Sequence, residues 1–347
     1  AADTMPSDGI THGRGENGDW GGYNTLQSLA NFELAGDSSS IVAVGSFRGN
    51  LTCPMGAAGG TTVLTNRKDT KYDAFVIKIN GATMQGEWAV GVGQDAALSN
   101  YGRAVRTTAS GDVLVVTELR YDSSDPLGRY RARLHKLDGA TGTTIWEREY
   151  PGLRAGSYTL EGVGEDAFLG GEVQREANGT DVFNTGDSVA LPSGGSENAP
   201  VVAKVAADGS TVWVKSFGQG STKGLARSID GMHVYAMGEN EIAVRDGACT
   251  LTGASGGFLV KLSASDGACV WAKDMAVDGG HLRKPVVDAA HVYAAWYAET
   301  SDHRDDSRYG VDRTRRDSDD VFLARWSADD GTGEYVAHFG GSGRDTI

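Results

Sequence analysis

The residues of this 347-residue chain that could do chemistry are few and scattered. There are three cysteines: Cys53, Cys249 and Cys269. A bridge between Cys249 and Cys269 would staple a loop to the strand that ends on Trp271, a device suited to an oxidising compartment. Sequence does not fix the pairing. Cys53 would then be left over, for an intermolecular partner or because the chain is part of something longer. A nucleophilic role fits none of the three, since no histidine lies near them in sequence. The histidines are His12, His135, His233, His281, His291, His303 and His338, and no H-E-x-x-H or C-x-x-C spacing links them into a metal site. A glycosidase needs two carboxylates facing each other across a sugar bond. With 46 acidic residues such pairs arise by chance, and none is singled out. Asp317, Asp319 and Asp320 offer clustered oxygens of the kind calcium takes. They stand among Arg304, Arg308, Arg313, Arg315 and Arg316, so a solvated mixed-charge loop is the expected reading and a calcium site the weaker one. Gly340-Gly341-Ser342-Gly343 lacks the Lys-Ser/Thr ending of a phosphate loop. Two N-x-S/T sequons, at Asn50 and Asn178, are acceptors for surface glycans.

The elements that must carry these residues repeat. KLDGATGTTIWEREY (Lys136 to Tyr150) reads as a strand, a turn and a second strand with a tryptophan. KINGATMQGEW, KVAADGSTVW, KLSASDGACVW and RWSADDGTGEY have the same form, ending at Trp88, Trp213, Trp271 and Tyr335. Five variants of one unit mean a repeat protein. Each unit reads as four short strands, the second rich in Val, Ile, Tyr and Phe (from Ser40, Asp112, Asp166, His233 and His291), the third opening the basic-aromatic pair. His233 and His291 align with Asp112 and Asp166, which makes them turn residues. The interval from the aromatic to the next second strand is 20 residues from Trp146 to Asp166, Trp213 to His233 and Trp271 to His291, and 24 from Trp88 to Asp112. The link between second and third strands varies more, and variable loops are where partner-specific surface sits. Both sequons fall in such links.

The Asp73-Ala74-Phe75-Val76-Ile77-Lys78 and Asp320-Val321-Phe322 openings, the G-x-x-x-W turn and the Phe339-Gly340-Gly341-Ser342-Gly343-Arg344-Asp345 run resemble the β-propeller repeat family of secreted and cell-surface proteins. A more distant likeness is to quinoprotein repeats, through Asp138-Gly139-Ala140-Thr141-Gly142-Thr143-Thr144-Ile145-Trp146; the chain departs from them in having no adjacent cysteine pair. The resemblance implies an all-β propeller of four-stranded antiparallel blades, five recognisable here and six or seven if the chain is a fragment. Residues 1–23 are expected to lead in or close the ring, with blades near 24–93, 94–152, 153–218, 219–279 and 280–341. Trp88, Trp146, Trp213, Trp271 and Tyr335 are expected to pack between blades.

A net charge of −14 disfavours nucleic acid and anionic membranes, and no apolar run is long enough to span a bilayer. The function expected is a non-enzymatic, extracellular or cell-surface structural, assembly or adhesion module that needs no cofactor. It would bind other protein chains or glycans, or copies of itself, through its variable links. The alternatives are a carbohydrate-active or quinone-dependent enzyme with its site in the central channel, or a lectin-like propeller.

Overall fold

The computed structural model describes residues 25–34, 39–56, 60–66, 71–93, 99–120, 130–151, 153–154, 159–173, 182–184, 187–188, 198–240, 244–246, 249–251, 256–276, 281–282, 284–298 and 320–339. Among them every regular element is a strand, and the strands form the five successive antiparallel blades of a β-propeller.

Blade one runs β1 (Thr25–Leu34), β2 (Ser40–Arg48), a hairpin of β3 (Asn50–Met55) and β4 (Gly60–Thr65), then β5 (Asp73–Asn80) and β6 (Gly86–Val92). Its order in space is β1-β2-β5-β6-β3-β4, so the hairpin extends the blade beyond its outer strand. Blade two is the plain unit: β7 (Ser99–Thr107), β8 (Val113–Arg120), β9 (Tyr130–Leu137) and β10 (Thr144–Tyr150). In blade three β11 (Leu153–Arg154) and β12 (Leu160–Val163) share the inner position against β13 (Asp166–Val173). A small hairpin of β14 (Val182–Asn184) and β15 (Asp187–Ser188) follows, then β16 (Ala199–Val205) and β17 (Thr211–Ser216). Blade four comprises β18 (Gly220–Arg227), β19 (His233–Asn240), the hairpin β20 (Val244–Asp246) and β21 (Cys249–Leu251), then β22 (Gly256–Ser263) and β23 (Cys269–Ala276). Blade five has β24 (His281–Leu282) and β25 (Val286–Val287) inside β26 (His291–Ala298), β27 (Asp320–Ser327) and β28 (Gly333–Phe339).

Alternation along each strand explains the packing, because successive side chains point to opposite faces. In β9, Ala132 and Leu134 face blade three, packed with Leu169, Val201 and Ala203. Leu137 faces blade one, with Val42, Val44 and Val76. The other junctions repeat the scheme, with Val202 and Phe258 in one core and Leu259 and Phe322 in the next. Each core is thus shared by two blades, and no blade owns one.

The third-to-fourth strand turns are built alike. The N–H of Gly142, Gly267 and Gly331 donates to the carbonyl four residues back, on Asp138, Ser263 and Ser327. An aspartate braces most of these turns. The carboxylate of Asp330 accepts the N–H of Thr332, which lowers its pKa to about 2. Asp138 accepts from Ala140 and Thr141 in the same way.

Candidate functional site

The repeated tryptophan of each of blades one to four lies over the turn of the next. Trp88 Nε1 donates to the Gly139 carbonyl at 3.1 Å, Trp146 to Ala207 at 2.8 Å and Trp271 to Ala328 at 3.3 Å. The glycine beneath each ring is required twice over. Gly142, Gly209, Gly267 and Gly331 have φ between 70° and 84°, and a Cβ on any of them would stand within 2.7 to 3.2 Å of the indole of the preceding blade. Trp213 stacks on Gly267 in this way but leaves its buried Nε1 without an acceptor. The side chain of Tyr335 lies outside the described residues.

The basic residue that pairs across the strands with each aromatic is a part of this clamp whose role the repeat pattern leaves open. Lys78 Nζ reaches the same Gly139 carbonyl as Trp88 (3.3 Å), and Lys261 the same Ala328 carbonyl as Trp271 (2.8 Å). Lys136 instead ion-pairs with Glu165 of the next blade (2.9 Å) and Asp112 of its own (3.3 Å). Burial works against its ammonium, and those hydrogen bonds more than offset it, so its pKa is raised. Lys204 turns to Asp166. Lys78, Lys136 and Lys261 thus help hold neighbouring blades together, while Lys204 is bound within its own blade.

A second cluster faces the centre. Arg106, Glu161 and Val286 hold one register level of their inner strands, paired with Leu114, Phe168 and Tyr293. The Arg106 guanidinium contacts Glu161 Oε1 through Nε (3.3 Å) and Nη2 (3.1 Å), and Nη1 donates to the Val105 carbonyl. Lys284, two residues before Val286, ion-pairs with the same Glu161 oxygen. Blades two, three and five are therefore tied through one buried carboxylate. Sequence reading missed this site, and little could have signalled it: the three residues lie on or just before inner strands far apart in the chain.

A third cluster is the polar ladder of blade two. Arg131 and Arg133 pair with Glu149 (3.2 and 2.7 Å), and Arg133 also with Glu147 (3.3 Å). His135, fully buried, sets Nδ1 3.2 Å from Glu147 and Nε2 3.1 Å from Thr117 Oγ1. Burial lowers the pKa of His135 and outweighs the upward pull of Glu147, so the ring is neutral near pH 7. The alternating R-x-R-x-H of β9 opposite E-x-E of β10 was a legible signal for this ladder.

The described parts of the variable links are hairpins outside the regular four strands of their blades. β3 returns alongside β6 in a parallel bridge, Met55 to Gly86. β21 is tied to β23 by a disulfide between Cys249 and Cys269, Cα atoms 5.8 Å apart. Cys53 is a free, buried thiol on β3, its pKa raised by burial. Asn50 is exposed at the base of the same hairpin, whereas Asn178 falls outside the described residues. His233 and His291 open β19 and β26 at turns, each held by its backbone N–H, to Ser228 Oγ and Asp288 Oδ1. His291 Nε2 also lies 3.2 Å from a Glu334 carboxylate oxygen. Asp302, Asp305, Asp306, Asp317 and Asp319 lie outside the described residues, as does the side chain of Asp320. Among the described residues no three His, Cys, Asp or Glu side chains gather as a metal site.

Residues 197–345, from the end of blade three through blade five, match the family described as "Outer membrane protein assembly factor BamB". Over that span the chain carries propeller repeats of this kind. No curated protein sequence matches it. Among solved structures it is similar to a quinohemoprotein alcohol dehydrogenase from Comamonas testosteroni, with 13% identity over 90% of this chain and 46% of that one and a TM-score of 0.40. A quinohemoprotein alcohol dehydrogenase, ADHIIG, from Pseudomonas putida HK5 is 11% identical over 87% and 59%, with a TM-score of 0.45. The Dos1 propeller is 9% identical over 92% and 74%, with a TM-score of 0.47. The chain thus spans about half the length of the two dehydrogenases.

Proposed function

We propose that the protein is a non-enzymatic assembly or adhesion scaffold, working outside the cell or at its surface, that holds other protein chains on its outer rim. The observation that carries this reading is the placement of the irregular sequence. The links of blades one, three and four, where they are described, form hairpins outside the regular strands, and two of them are fastened to an outer strand, one by strand pairing and one by a disulfide. Fixed hairpins give binding surface at little ordering cost. Supporting it from the other side, the charged groups named above at the inner strands and junctions are spent on one another or on backbone carbonyls. The family matched over residues 197–345 is named for an assembly factor. The Cys249–Cys269 bridge suits an oxidising compartment, and exposed Asn50 is placed to carry a glycan.

The test has two arms. The purified chain is assayed against glycosides and against alcohols with added quinone; turnover that disappears in Glu161→Gln would overturn the scaffold reading. Cross-linking in the native extracellular material is expected to place a stoichiometric partner against residues 49–66 or 244–251. Cross-links confined to the inner strands would remove the rim from the proposal.

A further inference from the structure

The rim hairpin of blade one ends its sheet on β4, Gly60–Thr65. Its backbone orientation can be worked out. The N–H of Asn66 donates to the Gly49 carbonyl (2.9 Å), so 66 and 49 form a hydrogen-bonded pair of the antiparallel ladder. Such pairs alternate, which makes Leu64–Leu51 and Thr62–Cys53 hydrogen-bonded and leaves Thr65–Asn50, Val63–Thr52 and Thr61–Pro54 not. Pro54, with no N–H to give, stands in one of the latter. The N–H of Gly56 donates away from β4, to Gly86 on the β6 side, in agreement with this parity. The N–H and C=O groups of Thr61, Val63 and Thr65 therefore point out of the sheet at its edge.

Nothing in the strand guards that edge. Natural edges carry lysine, proline, a bulge or an inward charge; Gly-Thr-Thr-Val-Leu-Thr has none, and the β3–β4 register runs without a shift. Outer strands elsewhere carry charges: Glu147, Arg148 and Glu149 on β10, Lys215 on β17, Lys273 and Asp274 on β23. The side chains of Thr61, Val63 and Thr65 are also exposed, Val63 by 52%. The strand is self-complementary about Val63. Laid antiparallel on its own copy, Val63 meets Val63, and Thr61 meets Thr65 twice, with the outward backbone groups in bonding register. Val–Val and Thr–Thr are favourable cross-strand neighbours.

We infer that β4 is a pairing edge for β4 of a second copy of this chain, joining two propellers through a two-fold continuous sheet. The contact is isologous and closes at two. One strand pair is a small interface, so the dimer is weak and depends on concentration. Each copy carries a net charge of −14, so salt strengthens the association by screening the repulsion. The inference deepens the scaffold reading by naming one surface and one partner.

Sedimentation equilibrium on the full chain over a range of protein and salt concentrations tests it, together with deuterium exchange of segment 60–66. The expected result is a dimer fraction that rises with both, with protection gained on that segment. Thr61→Lys/Thr65→Lys places lysine opposite lysine at both ends of the pair and is expected to weaken the dimer about tenfold or more. Thr61→Glu/Thr65→Lys places opposite charges in those places and is expected to restore it. Val63→Pro removes an outward donor without touching a β3–β4 hydrogen bond and is expected to give a monomer with unchanged circular dichroism. A chain monomeric at every concentration, or the same association constant in the two charge variants, would overturn the inference. Failure here leaves the scaffold reading standing, because only the turnover and cross-linking results bear on that.

Discussion

Leu259 and Leu323 hold the same place in consecutive blades, two residues before the basic position of the third strand, on the face turned to the next blade. Leu259 is fully buried, as are its counterparts Val76, Leu134 and Val202, each in a core shared with the blade that follows. Leu323 is 38% exposed. Met275 and Phe339 differ in the same way, one fully buried and the other 57% exposed. The other end of the array shows a matching break. Where four turns place a glycine four residues before the aromatic, blade one places Met84, still at positive φ (56°) and 69% exposed. The residues are the repeat's own at both ends, but their environment is not. A blade of this kind is a half-interface, and its apolar face becomes core only when another blade is laid on it.

The largest expected effect tests that difference directly. Leu259→Ala should lower unfolding stability by about 2–5 kcal/mol, as fully buried leucines do. Leu323→Ala should cost less than about 1 kcal/mol. Urea denaturation of both variants reads the gap, and equal costs would mean that the trailing face of blade five is covered in solution.

The turns come next. Gly142→Ala puts a Cβ 2.7 Å from the Trp88 ring at φ 73°, combining a clash with an unfavourable backbone, and should cost about 2 kcal/mol or more. Met84→Gly relieves a left-handed residue that nothing clamps and should change stability by less than about 1 kcal/mol in either direction. Strong destabilisation by Met84→Gly would show that the methionine is itself a packing residue, and the two kinds of turn would no longer be distinct.

The four docked junctions can be graded by their hydrogen bonds. Trp146→Phe removes both ring area and a 2.8 Å bond to Ala207, while Trp213→Phe removes a ring of the same size whose N–H has no acceptor. The first should cost about 1 kcal/mol more than the second in thermal unfolding. Equal costs would mean that ring packing alone carries the clamp.

What could be read in the sequence follows from these same contacts. The tryptophans recur at one spacing because each fills one junction, so the blades and their order were legible from Trp88 to Trp271. Met84 was legible in the same way: the G-x-x-x-W spacing fails in KINGATMQGEW, where Gly81 and Gly86 conceal the missing glycine. The role of Lys78 and Lys261 was not, because a repeated basic residue does not disclose which carbonyl it reaches across a junction. Glu161 lay beyond reach altogether: its partners come from blades two and five and meet it only through closure of the inner strands. The fastening of the blade-four hairpin was legible in Cys249 and Cys269, whereas the blade-one hairpin was seen as variable length and no more, since pairing of β3 with β6 rests on a single bridge at Met55.

The smallest expected effect concerns the junction of blades one and two, where a polar ladder lies on the outer strands. His135 stands buried beside blade one, near Gly93, with Thr117, Glu147 and Arg133 around its ring. Burial lowers its folded pKa below the ordinary value of about 6.5, so between the two values the unfolded chain binds the proton and the folded chain does not. Stability therefore falls as pH drops below about 6.5, by at most about 1.4 kcal/mol per pH unit from this group until the folded ring itself protonates. The Glu147 pKa is lowered, first by its hydrogen bond to His135, so its contribution is lost as pH falls further, in the same direction. His135→Gln keeps a side chain able to bond Thr117 and Glu147 but cannot titrate. Its melting temperature should be flatter than that of the parent from pH 6.5 downward and unchanged in trend above it. An unaltered slope would mean that the acid sensitivity of the propeller resides elsewhere, and the blade one–blade two junction would behave like its apolar neighbours.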